Sequence, residues 1–428
     1  MTSEARFDEA YVWVWLPGGK EPVVAGRLAR DGDRLVFNYG RSYLARENAI
    51  PLYEPELPLR PGVILPEPGL SMASCLRDAA PDAWGRRVIL NRLAGRAGPE
   101  ADVASLDELT YLLESGSDRV GALDFQRSAR SYVPRLARSA TLKELMTAAE
   151  RVERGLPLPP DLDAALFHGT SLGGARPKAL VTEVDRKLIA KFSSSTDVFD
   201  VVKAEFVAMR IAARVGIRTA PVQLARAAGR DVLLVERFDR VRMEDGWRRK
   251  AMVSALTLLG LDEMAARYAS YETLAEIVRM RFDDPKGSLR ELFARMTFNI
   301  LCGNTDDHAR NHAAFWDGAS LSFTPAYDVC PQVRTGGEAS QAMSITGAER
   351  LSRLATCIRA APAFLMDAAS AEALIADQIR ALKSAWADVC TEAGLGAAQQ
   401  DLLRTRAFLA PVIFEGAPEP LRALAERA

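Results

Sequence analysis

Asp306 and Asn311 stand five residues apart in a polar loop after an apolar run, and Asp328 follows a segment that reads as a hairpin. Carboxylate, amide and carboxylate in that order are the set that phosphoryl transfer needs. In a kinase catalytic loop an Asp accepts the proton of the substrate hydroxyl, an Asn further on ligates magnesium, and a later Asp bridges the metal to the phosphates. Oxygen donors of this kind suit Mg2+, which keeps several waters and takes few carboxylates from the protein. Ala313 to Trp316 and Leu321 to Thr324 can pair around the Asp317-Gly318 turn, which would bring Asn311 and Asp328 back together. Taken alone, Asn304 to Asp307 also fits an ordinary Asx-turn. His308 and His312 have the i, i+4 spacing of zinc ligands on a helix, but neither an HExxH pattern nor a third ligand accompanies them.

Residues 169 to 192, GTSLGGARPKALVTEVDRKLIAKF, favour the chemical reading over the turn. Glycines let backbone amides approach phosphate oxygens. Lys191, at the end of the second of two strands joined at Asp185-Arg186, can neutralise those oxygens. Neither a Walker A loop nor a GxGxxG fingerprint is present.

A family resemblance rests on several motifs in order. The run Ser171-Leu172-Gly173-Gly174-Ala175-Arg176-Pro177-Lys178, the segment Glu236-Arg237-Phe238-Asp239-Arg240, the loop Gly303-Asn304-Thr305-Asp306-Asp307-His308 through Asn311, and Pro325-Ala326-Tyr327-Asp328 resemble the HipA toxin kinases. Pro81-Asp82-Ala83-Trp84-Gly85-Arg86-Arg87 and Asp118-Arg119-Val120-Gly121-Ala122-Leu123 carry the likeness toward the N-terminus, so it covers nearly the whole chain. The resemblance implies an α+β, two-lobed fold similar to the protein kinase and phosphoinositide kinase lobes, with a β-rich N-terminal module and a mostly helical C-terminal lobe. It implies a serine/threonine-protein kinase from a toxin-antitoxin pair. Asp306 then matches the catalytic base, and Asn311 and Asp328 the Mg2+ ligands. Gly173, Gly174, Ala175, Arg176, Pro177, Lys178, Lys191, His308, Asn311 and Asp328 would surround ATP, with Glu236, Arg237 and Phe238 as the hinge whose backbone holds the adenine. Ser171 matches the family's autophosphorylated serine, whose modification ejects the Gly loop and silences the kinase. A phosphoserine would put roughly −1.5 to −2 charges where ATP phosphates sit. The implied substrate is an aminoacyl-tRNA synthetase, and the implied partner a HipB-like helix-turn-helix antitoxin. DNA would be met only through the antitoxin complex.

One departure bears on specificity. Where the best-known members carry an acidic His-Gln-Glu-Asp stretch after the hinge, this chain has Arg248-Arg249-Lys250-Ala251-Met252-Val253-Ser254-Ala255-Leu256-Thr257. Arg248 to Lys250 and Arg310 favour a protein or nucleic-acid-associated acceptor over the acidic clefts of aminoglycoside and choline kinases, which share the Asp-x4-Asn and later Asp. A small-molecule phosphotransferase is therefore the alternative within the same chemistry, and a catalytically idle co-repressor subunit the alternative outside it. The joint presence of Lys191, Asp306, Asn311 and Asp328 speaks against the idle subunit. Glu205, on the helix expected after Lys191, reads either as a partner of Lys191 or as a solvated helix-face residue.

With 428 residues and 48% hydrophobic content the chain can bury a large core, and it divides into an N-terminal module (1–140), a nucleotide-binding lobe (141–240) and a helical lobe (241–428). A net charge of −1 offers no whole-chain attraction for nucleic acid. The five cysteines are odd in number and lack CxxC spacing, which argues for a reducing, cytoplasmic setting. The polar N-terminus and the lack of any apolar run of about 18 residues argue against export and membrane insertion.

The elements that must position these residues are legible in outline. Tyr11 to Pro51 alternates apolar and polar positions and reads as a small sheet. Ser71 to Leu113 turns helical, punctuated by Pro81, with Ser105 and Glu108 as a cap for the helix of Leu109, Leu112 and Leu113. Thr141 with Glu144 caps the next helix, and Leu156 to Pro160 forms a Pro-rich linker. Strands are expected near 179–184, 187–191, 222–225 and 232–236, around a helix near 201–215. Beyond Asp239 the period is helical, with Leu274, Ile277 and Val278, then Leu289, Leu292, Phe293 and Met296 as core stripes. Arg334 to Gly337 reads as a flexible segment after the metal aspartate.

Overall fold

The alternation between Tyr11 and Pro51 folds as expected into antiparallel strands β1 (Glu9–Val14), β2 (Val23–Asp31) and β3 (Arg34–Tyr39), joined by β4 (Val63–Ile64) and β5 (Leu123–Gln126) in the order β4-β3-β2-β1-β5. In the computed structural model of the chain, residues 7–94, 106–136, 140–166, 174–194, 196–334 and 336–426 are described. They fall into two units. The first comprises Met1–Asp197, Ala225–Val253 and Phe315–Ala319, and the second Val198–Leu224, Ser254–Ala314 and Ser320–Ala428.

A second sheet in the first unit carries the phosphate-loop candidates. Its strands β6 (Lys178–Thr182), β7 (Lys187–Lys191), β8 (Val222–Ala227) and β9 (Arg230–Glu236) run in the order β6-β7-β9-β8. Ala179, Leu188, Ala190 and Leu234 pack with Leu145, Met146 and Val152 of the Leu142–Glu153 helix and with Trp84 in one core. That helix starts in the expected capping box of Thr141 and Glu144. Because side chains alternate along a strand, burying Ala179 and Ala190 turns Lys178 and Lys191 to the other face. The two lysines are direct partners in the β6–β7 register.

The motif Pro81–Arg87 explains how the N-terminal module grips this sheet. Trp84, on the Ala83–Ala94 helix, is fully buried, and its Nε1 donates to Lys178 O at 2.9 Å while its amide donates to Gly174 O at 3.3 Å. Arg87 reaches Ala175 O, and Arg86 forks onto Glu108 with two bonds of 2.7 Å. The Glu108–Glu114 helix is capped by Asp107, whose carboxylate accepts from Thr110 N. This corrects the expected cap at Ser105, which lies outside the described residues. Asp107 directly precedes the first helical residue and holds the extended backbone that an N-cap requires.

Beyond Asp239 the chain is less uniformly helical than its period suggests. Strands β10 (Arg240–Met243) and β11 (Gly246–Arg249) form a hairpin over Glu244-Asp245, followed by β12 (Met252–Ser254). The Asp-Gly turn signal was there, but the charges of RVRMEDGWRR hide the alternation.

A buried ion-pair network ties that hairpin to the N-terminal module. Arg237 forks onto Asp239 at 2.9 and 2.8 Å and reaches Asp118 at 3.1 Å, and Arg240 binds Asp118 at 2.8 Å and Asp239 at 2.9 Å. Lys187 also donates to Asp118, and Gly121 N donates to Asp239 at 2.8 Å. Burial pushes the Asp118 and Asp239 carboxyls up, but Arg237 and Arg240 outweigh it, holding Asp118 well below the usual carboxylate range and Asp239 at about 2.

In the second unit, the helices Val201–Arg214, Tyr271–Arg281, Pro285–Leu301 and Ala368–Glu392 bury the expected stripes, including Leu274, Val278, Leu289, Leu292, Phe293 and Met296, while Ile277 is only partly covered. Asp284 caps the Pro285–Leu301 helix, with proline at its first position. Gln378 fastens this helix to the Ala368–Glu392 helix through Thr297 Oγ1 and Ala294 O, each at 2.8 Å. Among the described residues no helix is long and apolar enough to cross a membrane.

Asp118→Ala leaves the buried cations of Arg237, Arg240 and Lys187 short of a counter-charge, and we expect a loss of about 3–5 kcal/mol in urea unfolding followed by tryptophan fluorescence. The depressed carboxyls of Asp118 and Asp239 contribute stability in full above their unfolded value of about 4. As pH falls from there toward about 2 the unfolded chain binds more protons than the native one, so that contribution is lost. An acid titration of the unfolding midpoint checks this, and the Asp118→Ala variant should show a shallower fall.

Candidate active site

The Pro285–Leu301 helix delivers the chain into the catalytic-loop candidate. It stops because Gly303 adopts φ 74° and closes a Schellman motif, with Gly303 N donating to Ile300 O at 3.2 Å and Asn304 N to Asn299 O at 2.8 Å. A Cβ on Gly303 would lie 2.8 Å from Ala407 O, so both conformation and space call for glycine. The adjacent aspartates then meet opposite fates. Asp306 is exposed, whereas Asp307 is buried against Tyr271 Oη, which donates to it, and His312 Nε2 at 3.0 Å. Asn311 Nδ2 donates to Asp306 O at 3.2 Å, so the expected metal ligand also braces the backbone of the expected base.

Asp328 is carried back to this loop. The expected hairpin forms as β13 (Ala313–Trp316) and β14 (Leu321–Phe323), with Thr324 N donating to Ala313 O at 3.0 Å. Ala326 is then held between Arg218 O at 2.7 Å and Ala220 N at 2.9 Å, and Tyr327 Oη donates to Arg310 O at 2.7 Å. Asn311 lines one recess with Tyr327 and Val329, the neighbours of Asp328. Asp328 itself has φ 59°, a left-handed conformation that costs a non-glycine residue about 1–2 kcal/mol. Strain of this size at a carboxylate beside the loop is characteristic of functional sites.

In the first unit, the loop before β6 is described from Gly174 onward; Ser171 and Gly173 lie outside the described residues. Gly174 has φ 98°, and a Cβ there would sit 2.2 Å from Lys178 Nζ, so glycine lets this ammonium lie on the loop backbone. Arg176 pairs with Asp197 at 2.6 Å, and Phe192 N fixes Pro177 O at 3.0 Å. Lys178 is buried and Lys191 half-buried. In the expected hinge, Arg237 N is committed to Lys187 O at 2.8 Å, and the Arg237 side chain belongs to the buried network. Both the amide and the guanidinium of Arg237 are thus engaged within the protein, which leaves Glu236 and Phe238 as the expected hinge positions.

Comparison with known proteins bears on this arrangement. A family model described as the HipA-like C-terminal domain matches residues 170–386, half of the chain, and another described as the HipA N-terminal domain matches residues 14–126. The chain belongs to the HipA family. It is 28% identical to a putative kinase, Y4mE, of Sinorhizobium fredii over 351 residues, 75% of this chain and 77% of that one. It is 26% identical over 141 residues to the serine/threonine-protein kinase toxin HipA of Shewanella oneidensis, covering 29% of this chain and 33% of that protein. Its fold matches a chain in the solved complex of Shewanella oneidensis MR-1 HipA, HipB and operator DNA, with a TM-score of 0.70, 18% identity, and coverage of 97% and 99%. The α+β kinase-like architecture expected from the HipA resemblance is therefore the fold observed.

Several sequence readings change against this HipA fold. Arg248 is bonded to Gly18 O at 2.7 Å and to Asp245, Arg249 donates to Ser117 O at 2.9 Å and lies over the Trp15 ring, and Lys250 lies over Phe315. Arg310 pairs with Glu263. These cations serve packing, so they lose their force as a sign of acceptor type. Glu205 is 3% exposed, which overturns the solvated helix-face reading. Arg334 is buried, its amide on Arg406 O at 3.0 Å and its guanidinium on Ser352 at 2.8 Å, so it is anchored rather than loose. Thr335 lies outside the described residues. Sequence reasoning missed Asp307, Tyr271 and Arg295. A carboxylate next to Asp306 was visible, but its partner Tyr271 is 36 residues away and gave no local signal.

The strain at Asp328 gives a test independent of chemistry. Replacing it by Gly relieves the left-handed backbone and replacing it by Ala does not, so in chemical unfolding Asp328→Gly should be more stable than Asp328→Ala by about 1 kcal/mol. Equal stabilities would mean that the backbone relaxes when the carboxylate is removed.

Proposed function

We propose that this chain is an ATP- and Mg2+-dependent serine/threonine-protein kinase of the HipA type, acting as the toxin of a toxin-antitoxin pair. The observation that carries the reading is Lys178 standing directly across from Lys191 on one face of a sheet. Two ammonium groups brought side by side there suit the several negative charges of a triphosphate. Gly174 to Lys178, gripped by Trp84 and Arg87, would cradle the phosphates, and Glu236 and Phe238 would receive the adenine. His308 offers a buried Nδ1 with no hydrogen-bond partner among the described residues, in keeping with a nucleotide contact.

The second unit supplies the complementary chemistry. With Nδ2 of Asn311 committed to Asp306 O, its Oδ1 is the atom left to ligate a cation, and the Asp328 carboxylate is the other donor. Two hard oxygens of this kind fit Mg2+, which would neutralise phosphate charge when bound. Asp306, exposed and braced from behind, orients the acceptor hydroxyl and takes its proton. The chain's contribution is position and charge rather than covalent chemistry.

Further parts of the reading draw on relatives. The Shewanella HipA named as a serine/threonine-protein kinase toxin, and the complex solved with HipB and operator DNA, support a HipB-like antitoxin that would bring this chain to DNA. We extend the proposal to an aminoacyl-tRNA synthetase as substrate, to silencing by autophosphorylation of Ser171, and to a division of labour among residues 1–140, 141–240 and 241–428.

Intact-mass measurement after incubation of unphosphorylated protein with ATP and magnesium tests the reading. We expect a gain of one phosphate that maps to Ser171 and is missing in Asp306→Asn, a variant that should still bind ATP. No gain with ATP bound would direct the chemistry to a small-molecule acceptor, and full activity in Asp306→Asn would remove the base assignment. A main site other than Ser171 would overturn the loop-ejection account alone.

A further inference from the structure

Behind the catalytic loop lies a small recess of about 10 Å3, room for a single water, lined by Arg295, Asn299, Asp307, Asn311, His312 and Tyr327 among others. Two of these side chains are incomplete. Arg295 is 3% exposed; its Nε and Nη2 bind Glu291, and Nη2 also reaches Thr324 O at 2.7 Å, but Nη1 is buried with no hydrogen-bond partner among the described residues. His312 is 2% exposed; its Nε2 faces Asp307, while Nδ1 is buried and likewise unpartnered among them.

The two orphans are complementary. Asp307 already accepts from Tyr271 Oη, and as a carboxylate it needs His312 to present Nε2–H. The other ring nitrogen is then an acceptor, and Arg295 Nη1 is only a donor. Both residues line the same recess, and a guanidinium N–H and an imidazole lone pair are the donor and acceptor that one bound water can satisfy. Leaving either unmade in the interior costs about 1–3 kcal/mol.

We infer that a water molecule held between Arg295 and His312 completes a buried chain, Tyr271–Asp307–His312–water–Arg295, and that His312 is thereby a positioning residue for phosphoryl transfer. The consequence for chemistry runs through the backbone. Asp307 adjoins Asp306, and His312 adjoins Asn311, whose Nδ2 donates to Asp306 O. Fastening Asp307 and His312 to each other and to the Pro285–Leu301 helix fixes both ends of the segment that presents base and metal ligand. The kinetic part of this inference rests on the kinase reading, but the water site does not.

A crystal structure of the full chain, refined finely enough to show ordered water, decides the first part. We expect a water within hydrogen-bonding distance of both Arg295 Nη1 and His312 Nδ1, and a recess without one overturns the inference whether or not the chain is a kinase. For the second part, His312→Leu should lower kcat about 10- to 100-fold, as small misplacements of reacting groups do, with KM for ATP within about twofold of the parent. His312→Gln, which can still donate to Asp307, should recover most of that loss. Since His312→Leu strands a buried carboxylate and can fail to fold, the Asp307→Ala/His312→Leu double variant is measured beside it. A positioning role leaves the folded double variant slow, whereas restored kcat in the double variant, or a matched rise in KM, would reduce the pair to a packing contact. Absence of phosphotransfer by the parent chain itself would refute the kinase reading and the positioning role together, leaving the crystallographic result to stand for the water.

Discussion

The first unit is organised around one buried carboxylate, Asp118, and the cations that surround it. Arg237, Arg240 and Lys187 converge on it from the strands of the nucleotide lobe, and Asp239 balances the remaining charge. Ions taken out of water recover their hydration energy only with good geometry and further hydrogen bonds, and here the backbone supplies them: Arg119 O accepts from Arg237 at 2.7 Å, Gly121 O accepts from Arg240 at 2.9 Å, and Gly121 N donates to Asp239. Apolar residues could fill the same volume with equal or greater stability. These pairs and backbone bonds join the Asp118–Leu123 motif to the segment after β9. Two motifs that look independent in the sequence are halves of one structural joint.

A second joint works on the phosphate side. Trp84 and Arg87 hold Gly174, Ala175 and Lys178 by their backbone carbonyls. The N-terminal module therefore touches the nucleotide lobe at both ends that matter, the loop before β6 and the turn after β9. Its conformation and the shape of the nucleotide lobe are mechanically one problem within this unit.

The second unit solves a different problem, which is how to expose one aspartate while burying its neighbour. The Schellman turn at Gly303 sets the direction in which the chain leaves the helix, and the pairing of Asp307 with His312 and Tyr271 then turns Asp306 outward. The left-handed backbone at Asp328 fits the same logic. A residue is kept in an unfavourable conformation because the clamp of Arg218 and Ala220 on Ala326 and the bond from Tyr327 to Arg310 O leave it little alternative.

The sequence by itself determined the parts that depend on local chemistry: the Asp306 and Asn311 spacing, the lysine ending a strand, the capping box at Thr141, the hairpin that returns Asp328, and the HipA resemblance those motifs carry. Each is written within a few residues, where turn, cap and strand preferences act. Tertiary structure decided the rest. Which aspartate of Asp306-Asp307 is exposed depends on Tyr271, and whether Arg248 and Arg249 face a substrate or the interior depends on Gly18, Ser117 and Trp15. That Lys178 and Lys191 stand opposite each other depends on strand register, and that Asp118 meets Arg240 depends on a contact across 122 residues. Burial and pairing over such separations are properties of the folded chain, because charge and polarity are the same in a residue's name whether it ends in water or in the core.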